Sequence, residues 1–440
     1  MKYGEMMDDK NYRKTRKGFV LLQKKLVVIS FIIVLAGILD APCRVATSKK
    51  VSASITATLK NGVFTVQGKG DMPDSARPKA SQRKKIKKIV VKKGVTSLPE
   101  FAFKNCKKAT SIKIASSVKR IGMQAFAKTA VKSLTIPKTA ESIGWGICLD
   151  CDLLEKLVIP GDFSVLGPSS ENWEEPFVTG KKSLETVKFS TELNLENVRM
   201  AGDCENFIVS PDDPEFKSID GIIYTKDGKT LARIPYAREE AVIAEGCEII
   251  AAGSFNYTAD AYNQYNSYWG CGALKSIVLP SSVKEVTDKV YSSFARIGRD
   301  NREGSIKLNM AGLDIKSIKK LWKYCDWKKS LSDELARIGC ADVTDGMVVL
   351  QNGYLCGYVG NGNQEEAVVP ESVKTIGESA FSEAWFKYGL NSVVLGSNVK
   401  SIKDYAFKMD KNIKIYIKSK NIKVSDKAFK DCGTYELIIG

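Results

Sequence analysis

The 440-residue sequence predicts a mainly β solenoid with short helices, a stack of coils each about 22–23 residues around. Two observations carry this. A ten-residue unit returns along the chain: "SVKRIGMQAF" at Ser117–Phe126, "SVKEVTDKVY" at Ser282–Tyr291, "SVKTIGESAF" at Ser372–Phe381 and "NVKSIKDYAF" at Asn398–Phe407. Short alternating apolar runs also recur at a fixed step. Ile89, Ile112, Leu134 and Leu157 are 23, 22 and 23 apart, and Val393, Ile415 and Leu437 are 22 and 22 apart.

The elements follow in chain order. A basic stretch, "RKTRKGFVLLQKK", precedes a 14-residue apolar run, Leu26–Leu39, which has the length of a secretory signal core and is short for a membrane span. Residues 1–43 are therefore expected to be a signal peptide or an uncleaved N-terminal anchor, and the chain to be secreted or held at the cell surface. Residues 44–85 are read as an N-terminal β cap and linker, because 51–70 alternates around Asn61-Gly62, a hairpin signal. A solenoid needs such a cap to seal its first coil.

Repeats then occupy 86–204. In each coil two or three β-branched or leucine residues at period two make a strand too short to stand alone, often ended by proline, as in "SLTIP" and "KLVIP". The apolar residues of "SVKxI" point inward, alanine lets adjacent coils approach, and phenylalanine fills the space beside it. Phe103, Phe126, Phe255, Phe381, Phe407 and Phe429 are the expected core column. Ile147 and Cys148 replace Ala-Phe in one coil, and an insertion rich in Glu, Ser and Pro spans Leu166–Gly180.

Two departures from the repeat are related. "DGIIYTKDGKTLARIP" starts at Asp220 and "DGMVVLQNGYLCGYVG" at Asp345, so 205–240 and 341–366 are read as β-hairpin islands. The residues following them, 241–255 and 367–381, match 126 positions apart. Between lie repeats at 241–300 and an insertion at 301–340 with apolar residues at helical spacing (Ile315, Ile318, Leu321, Trp322, Leu331, Leu335, Ile338), which predicts one or two helices packed on the array. Repeats resume over 367–440.

Written out, the unit is L-x-x-I-x-I-P-x-S-V-K-x-I-G-x-x-A-F-x-x-C. It resembles the BspA-like leucine-rich repeat family of bacterial surface proteins, over roughly residues 86 to 440 with interruptions. The resemblance implies a leucine-rich repeat solenoid with hairpin islands, and a non-catalytic role in surface or host interaction.

Composition narrows the chemistry. The absence of histidine removes the commonest general base and most zinc sites, and no GxSxG, P-loop or HExxH is present. Neither a catalytic residue nor a metal or cofactor is expected. The acids Asp212, Asp213 and Glu215 lack the spacing of a calcium loop and are read as turn chemistry. Cysteines near the Ala-Phe position are read as small hydrophobes, with Cys148-x-x-Cys151 standing alone.

Charge is uneven. From Arg77 to Lys132 there are 17 Lys or Arg and one acid, Glu100, a balance of +16; Asn398–Lys430 carries ten lysines and three aspartates, +7. The densest stretch nominates Arg83, Lys84, Lys85, Lys87, Lys88, Lys92 and Lys93 as a polyanion-binding patch. The expected partner is an extracellular protein or glycan, with an anionic cell-wall polymer for the basic coils. The dense stretch lacks aromatics for base stacking, which argues against nucleic acid. The chain is expected to be a monomer. The alternatives to a binding protein are an architectural wall component and, less favoured, a histidine-free hydrolase.

Overall fold

A computed structural model describes residues 55–166, 184–195, 197–198, 204–235, 237–251, 254, 273–287, 305–309, 313–325, 327–360, 365–382, 384–408, 410, 413–419 and 421–439. The segment 1–43, most of the insertion after Leu166, and Phe255 and Tyr291 lie outside them.

Each coil has three sides, and each side is hydrogen-bonded to the coils before and after. On the first side the apolar runs form parallel strands in the register that their spacing foretold. Ile89 in Lys88–Val91 lies opposite Ile112 in Ser111–Ile114, and Leu134 in Ser133–Thr135 lies opposite Leu157 in Lys156–Ile159. Val393 in Ser392–Leu395, Ile415 in Ile413–Ile417 and Leu437 in Tyr435–Ile439 follow one another in the same way. The second side is a narrower parallel sheet that includes Val95–Leu98, Arg120–Ile121 and Ser142–Gly144.

The third side is the turn that carries Ala-Phe. There the N–H groups of Phe101, Phe103 and Asn105 donate to the carbonyls of Met123, Ala125 and Ala127 at 2.7–2.9 Å, and those of Gln124, Phe126 and Lys128 donate to Trp145, Ile147 and Leu149 at 2.8–2.9 Å. Aiming alternate N–H groups up the stack requires left-handed residues at the corners. Phe101, Asn105, Gln124, Lys128, Asp150, Ser379 and Tyr405 all have φ between 48° and 67°.

The phenylalanines stand in rows. Phe103 and Phe126 stack at 5.9 Å and 12°, with Phe64 of the cap edge-on to Phe103 at 6.1 Å. Phe381, Phe407 and Phe429 stack at 5.3 Å per step, continued by Tyr358 at one end and Tyr435 at the other. Phe103, Phe126, Phe381 and Phe407 are fully buried, whereas Phe429 is half-buried. In the degraded coil Cys148 is buried in the row's place.

The cap is the expected hairpin. Thr56–Lys60 and Val63–Gln67 pair antiparallel around Asn61 and Gly62, both at positive φ, and Val63–Gln67 then pairs parallel with Lys88–Val91.

Each island proves to be a three-stranded antiparallel meander rather than a single hairpin: Phe216–Ile219, Ile222–Thr225 and Thr230–Arg233, then Ala341–Thr344, Met347–Leu350 and Tyr354–Tyr358. The third strand of each joins the following coil in parallel. The first array runs on to Cys204–Ile208, which still pairs with the repeat sheet. Alternation makes each meander a wall between two cores. Ile223 and Ala232 close the first core while Ile222, Tyr224 and Leu231 open the second. Val348 and Cys356 close the second while Met347, Val349 and Leu355 open the third.

The insertion forms two helices, Ile315–Tyr324 and Lys328–Arg337, the first capped by Asp314, whose carboxylate accepts the Ser317 N–H at 2.6 Å. Ile318, Leu321, Trp322, Leu331 and Leu335 face the second core, and Trp327 between the helices is buried there too. Among the described residues no helix is long and apolar enough to cross a membrane.

Candidate binding surface

The basic stretch is divided by the fold. Arg83 serves the structure, its Nε donating to Pro78 O and its Nη1 to Lys104 O, both at 3.0 Å. Lys88 lies half-buried on the strand, and Lys92 and Lys93 are exposed past its far end, about 13 Å from its start at 3.3 Å per residue. Lys84, Lys85 and Lys87 are exposed before its beginning.

Those last three have neighbours that charge density alone did not reveal. The carbonyl of Gly62, in the cap's turn, accepts the N–H groups of Lys87 (2.7 Å) and Lys88 (3.1 Å), which brings Lys60 alongside. The Lys87 carbonyl accepts the Thr110 N–H at 3.0 Å, so the turn bearing exposed Lys107 and Lys108 is the next layer. Lys107 and Lys108 are one period, 23 residues, after Lys84 and Lys85. Among the described residues none of these six lysines forms an ion pair. Adjacent layers are about 4.8 Å apart, so the fold gathers these like charges more closely than the sequence does. The column ends where acids begin: Lys128 pairs with Asp150 (3.4 Å), Lys132 with Glu155 (3.5 Å) and Lys119 with Glu141 (2.8 Å).

The acid cluster is occupied by backbone. Asp213 is 1% exposed; one carboxylate oxygen accepts the Leu193 N–H at 2.6 Å, the other those of Glu215 (2.9 Å) and Phe216 (2.7 Å). The residue ties the loop between Leu184–Phe189 and Cys204–Ile208 to the start of the first meander. Asp213→Ala strands three N–H groups and is expected to cost about 2 kcal/mol or more, read as a lowered urea midpoint; Asp212→Ala, on the exposed side, should cost under ~0.5 kcal/mol.

Cys148 and Cys151 face each other across a turn closed by Cys151 N–H to Cys148 O at 3.1 Å. The Cys151 thiol contacts Thr129 Oγ1 at 3.3 Å and Phe126 O at 3.2 Å. The hydrogen bond from Cys148, working against burial (Cys151 is 3% exposed) and helped by those of Thr129, brings Cys151 down to about 7, while Cys148 is pushed well up by donating that bond and by burial. Burial holds Cys106 and Cys247 at about 11 and Cys356 at about 12. Thiolate at Cys151 therefore grows as pH rises through about 7. In a pH 6–9 iodoacetamide series analysed by peptide mass spectrometry, Cys151 should label ahead of the other four.

Residues 77–191 and 358–439 match, in six copies, the family described as BspA type leucine rich repeat region. Similar solved structures include a leucine-rich repeat protein from Eubacterium ventriosum (18% identity, covering 87% of this chain and 94% of that one, TM-score 0.36). Others are the pneumococcal vaccine antigen PcpA (16%, 88% and 96%, TM-score 0.34) and a leucine rich cell surface protein from Faecalibacterium prausnitzii (14%, 91% and 96%, TM-score 0.25). No curated protein matches the chain.

Proposed function

We propose that this chain, whose residues 77–191 and 358–439 match BspA-type leucine-rich repeats, is a secreted or cell-surface binding scaffold that holds an anionic polymer of the cell envelope on its first coils. The repeats supply a rigid, extended surface, which favours binding. The signal-like run Leu26–Leu39 favours an outward location. The observation that carries the reading is the column of Lys60, Lys84, Lys85, Lys87, Lys107 and Lys108. Like charges kept together at a cost to stability are explained by a polymer whose own repeat places an anion against each layer.

The test uses long-chain polyphosphate, with neutral dextran as control. Reversing Lys84, Lys85, Lys107 and Lys108 to glutamate is expected to weaken polyphosphate binding about 100-fold and to flatten its salt dependence. Reversing Lys92 and Lys93, at the other end of the strand, should cost threefold or less. Equal losses per charge in the two variants would mean that net charge alone, rather than the column, attracts the polymer.

A further inference from the structure

A second site lies on the turn side of the third array. The corner residue is Gln124 or Ser379 before Ala-Phe in two other coils and Gly146 in the degraded one, but it is aromatic in two, Phe101 and, in this coil, Tyr405 at φ 59°, a conformation that a bulky side chain adopts only at a cost. Two ammonium groups converge on its ring. Lys408, three residues on, and Lys430, the matching lysine of the next coil, each place Nζ 5.7 Å from the ring centroid. The Tyr405 N–H is fixed to Lys427 O at 2.9 Å and the Lys408 N–H to Tyr405 O at 3.0 Å, so the ring and one cation are carried by hydrogen-bonded backbone.

Phe101 shows what the same arrangement looks like when it serves the fold alone. Lys104 lies 4.8 Å from the Phe101 ring, but its ammonium also donates to Gln124 Oε1 at 2.6 Å, and the next coil's lysine, Lys128, is paired with Asp150. Lys104 is engaged by the fold, and among the described residues no second cation lies over that ring. Around Tyr405, Lys408 and Lys430 form no ion pair with a described residue, and the phenol makes no hydrogen bond to one. The nearby carboxylate of Asp404 accepts the Ser425 hydroxyl instead. A half-exposed aromatic ring with two cations over it, neither ion-paired with a described residue, suits a ligand that offers an apolar face to the ring and an anionic group to the cations.

We propose that Tyr405, Lys408 and Lys430 bind an acidic sugar: the ring receives the C–H face of a pyranose, and the two ammonium groups hold its carboxylate or sulfate. The site is separate from the lysine column, which asks only for charge.

The experiment titrates the full chain with a hyaluronan tetrasaccharide by calorimetry, with a chondroitin sulfate tetrasaccharide to compare carboxylate with sulfate and cellotetraose as the neutral control. The acidic tetrasaccharides are expected to bind at least tenfold more tightly than cellotetraose. Tyr405→Asn removes the ring while tolerating positive φ, so its melting temperature should hold or rise, and it should weaken hyaluronan binding at least tenfold. Tyr405→Phe keeps the ring and should bind within twofold of the native chain. Lys408→Gln with Lys430→Gln should lose at least tenfold together with the salt dependence. Polyphosphate binding should stay within twofold for Tyr405→Asn. Equal affinity for cellotetraose, or unchanged hyaluronan binding by Tyr405→Asn, would overturn the site. Loss of hyaluronan binding only on reversal of the Lys84–Lys108 column would overturn it too, while leaving the polymer reading intact.

Discussion

Phe407→Ala should destabilise the third array by about 3–5 kcal/mol, the range for emptying a buried aromatic position. The side chain is fully buried, and its ring stacks at 5.3 Å on Phe381 and Phe429, within 3° and 8° of parallel. Neighbouring coils cannot collapse into the space, because both sheets and the turn lock their separation. Alanine should therefore leave most of a phenyl-sized void. In a solenoid each coil is stabilised only by its neighbours, so the loss propagates. Urea unfolding followed by backbone circular dichroism should show an early phase absent from the native chain. Phe429→Ala, half-buried near the last strand, should cost about half as much. Equal costs at the two positions would mean that the row is not a stack of interdependent layers.

How much of this was legible depends on whether the signal was periodic. The strand register was, since Ile89–Ile112 and Leu134–Leu157 are paired in space at the spacing that they show in the sequence. The islands were half legible. Asp220-Gly221 and Asp345-Gly346 announce a turn, and both pairs have positive φ. The stretches that start at those turns hold the second and third strands. The first strands, Phe216–Ile219 and Ala341–Thr344, escaped because they precede the turns and share no pattern. The connection before the third strand is four residues in one island (226–229) and three in the other (351–353). That one-residue difference places Leu355, not Cys356, in the role of Leu231, as their pairing with Ile376 and Ile250 shows. A constant offset of 125 misaligns them.

The candidate sites were legible only in part, for a physical reason. Charge density along the chain groups Lys84 with Lys93, but a strand separates them, and the coil instead sets Lys84 beside Lys107. Stepping by the repeat length would have found the column. Tyr405 falls on a position that the repeat leaves variable, so periodicity is blind to it; what marks it is the left-handed backbone under a large side chain, which only the folded chain reveals.

Gly144→Ala tests the stack's spacing itself and is expected to cost about 3 kcal/mol, the upper end for overpacking. A Cβ there would lie 2.3 Å from Met123 N and 2.6 Å from both Met123 Cα and Gly122 C, all of them backbone atoms of the preceding coil. Gly122 meets Glu100 N and Pro99 C at 2.4 and 2.5 Å in the same way one coil earlier. No rotamer change relieves such contacts; the coils must separate by about an ångström to reach ordinary van der Waals distance. That displacement acts on the bonds that follow at once, Gln124 N–H to Trp145 O at 2.8 Å and Phe126 N–H to Ile147 O at 2.9 Å. Gly246→Ala separates this effect from backbone conformation. Gly246 has φ +88°, and a methyl group added to it would meet nothing within 4 Å, so alanine there should cost only the left-handed penalty, about 1–2 kcal/mol. Hydrogen exchange should show the difference in kind. Gly144→Ala should deprotect Gln124 and Phe126 amides together, because one methyl group pries open a whole layer, whereas Gly246→Ala should leave amides outside its own turn as protected as before.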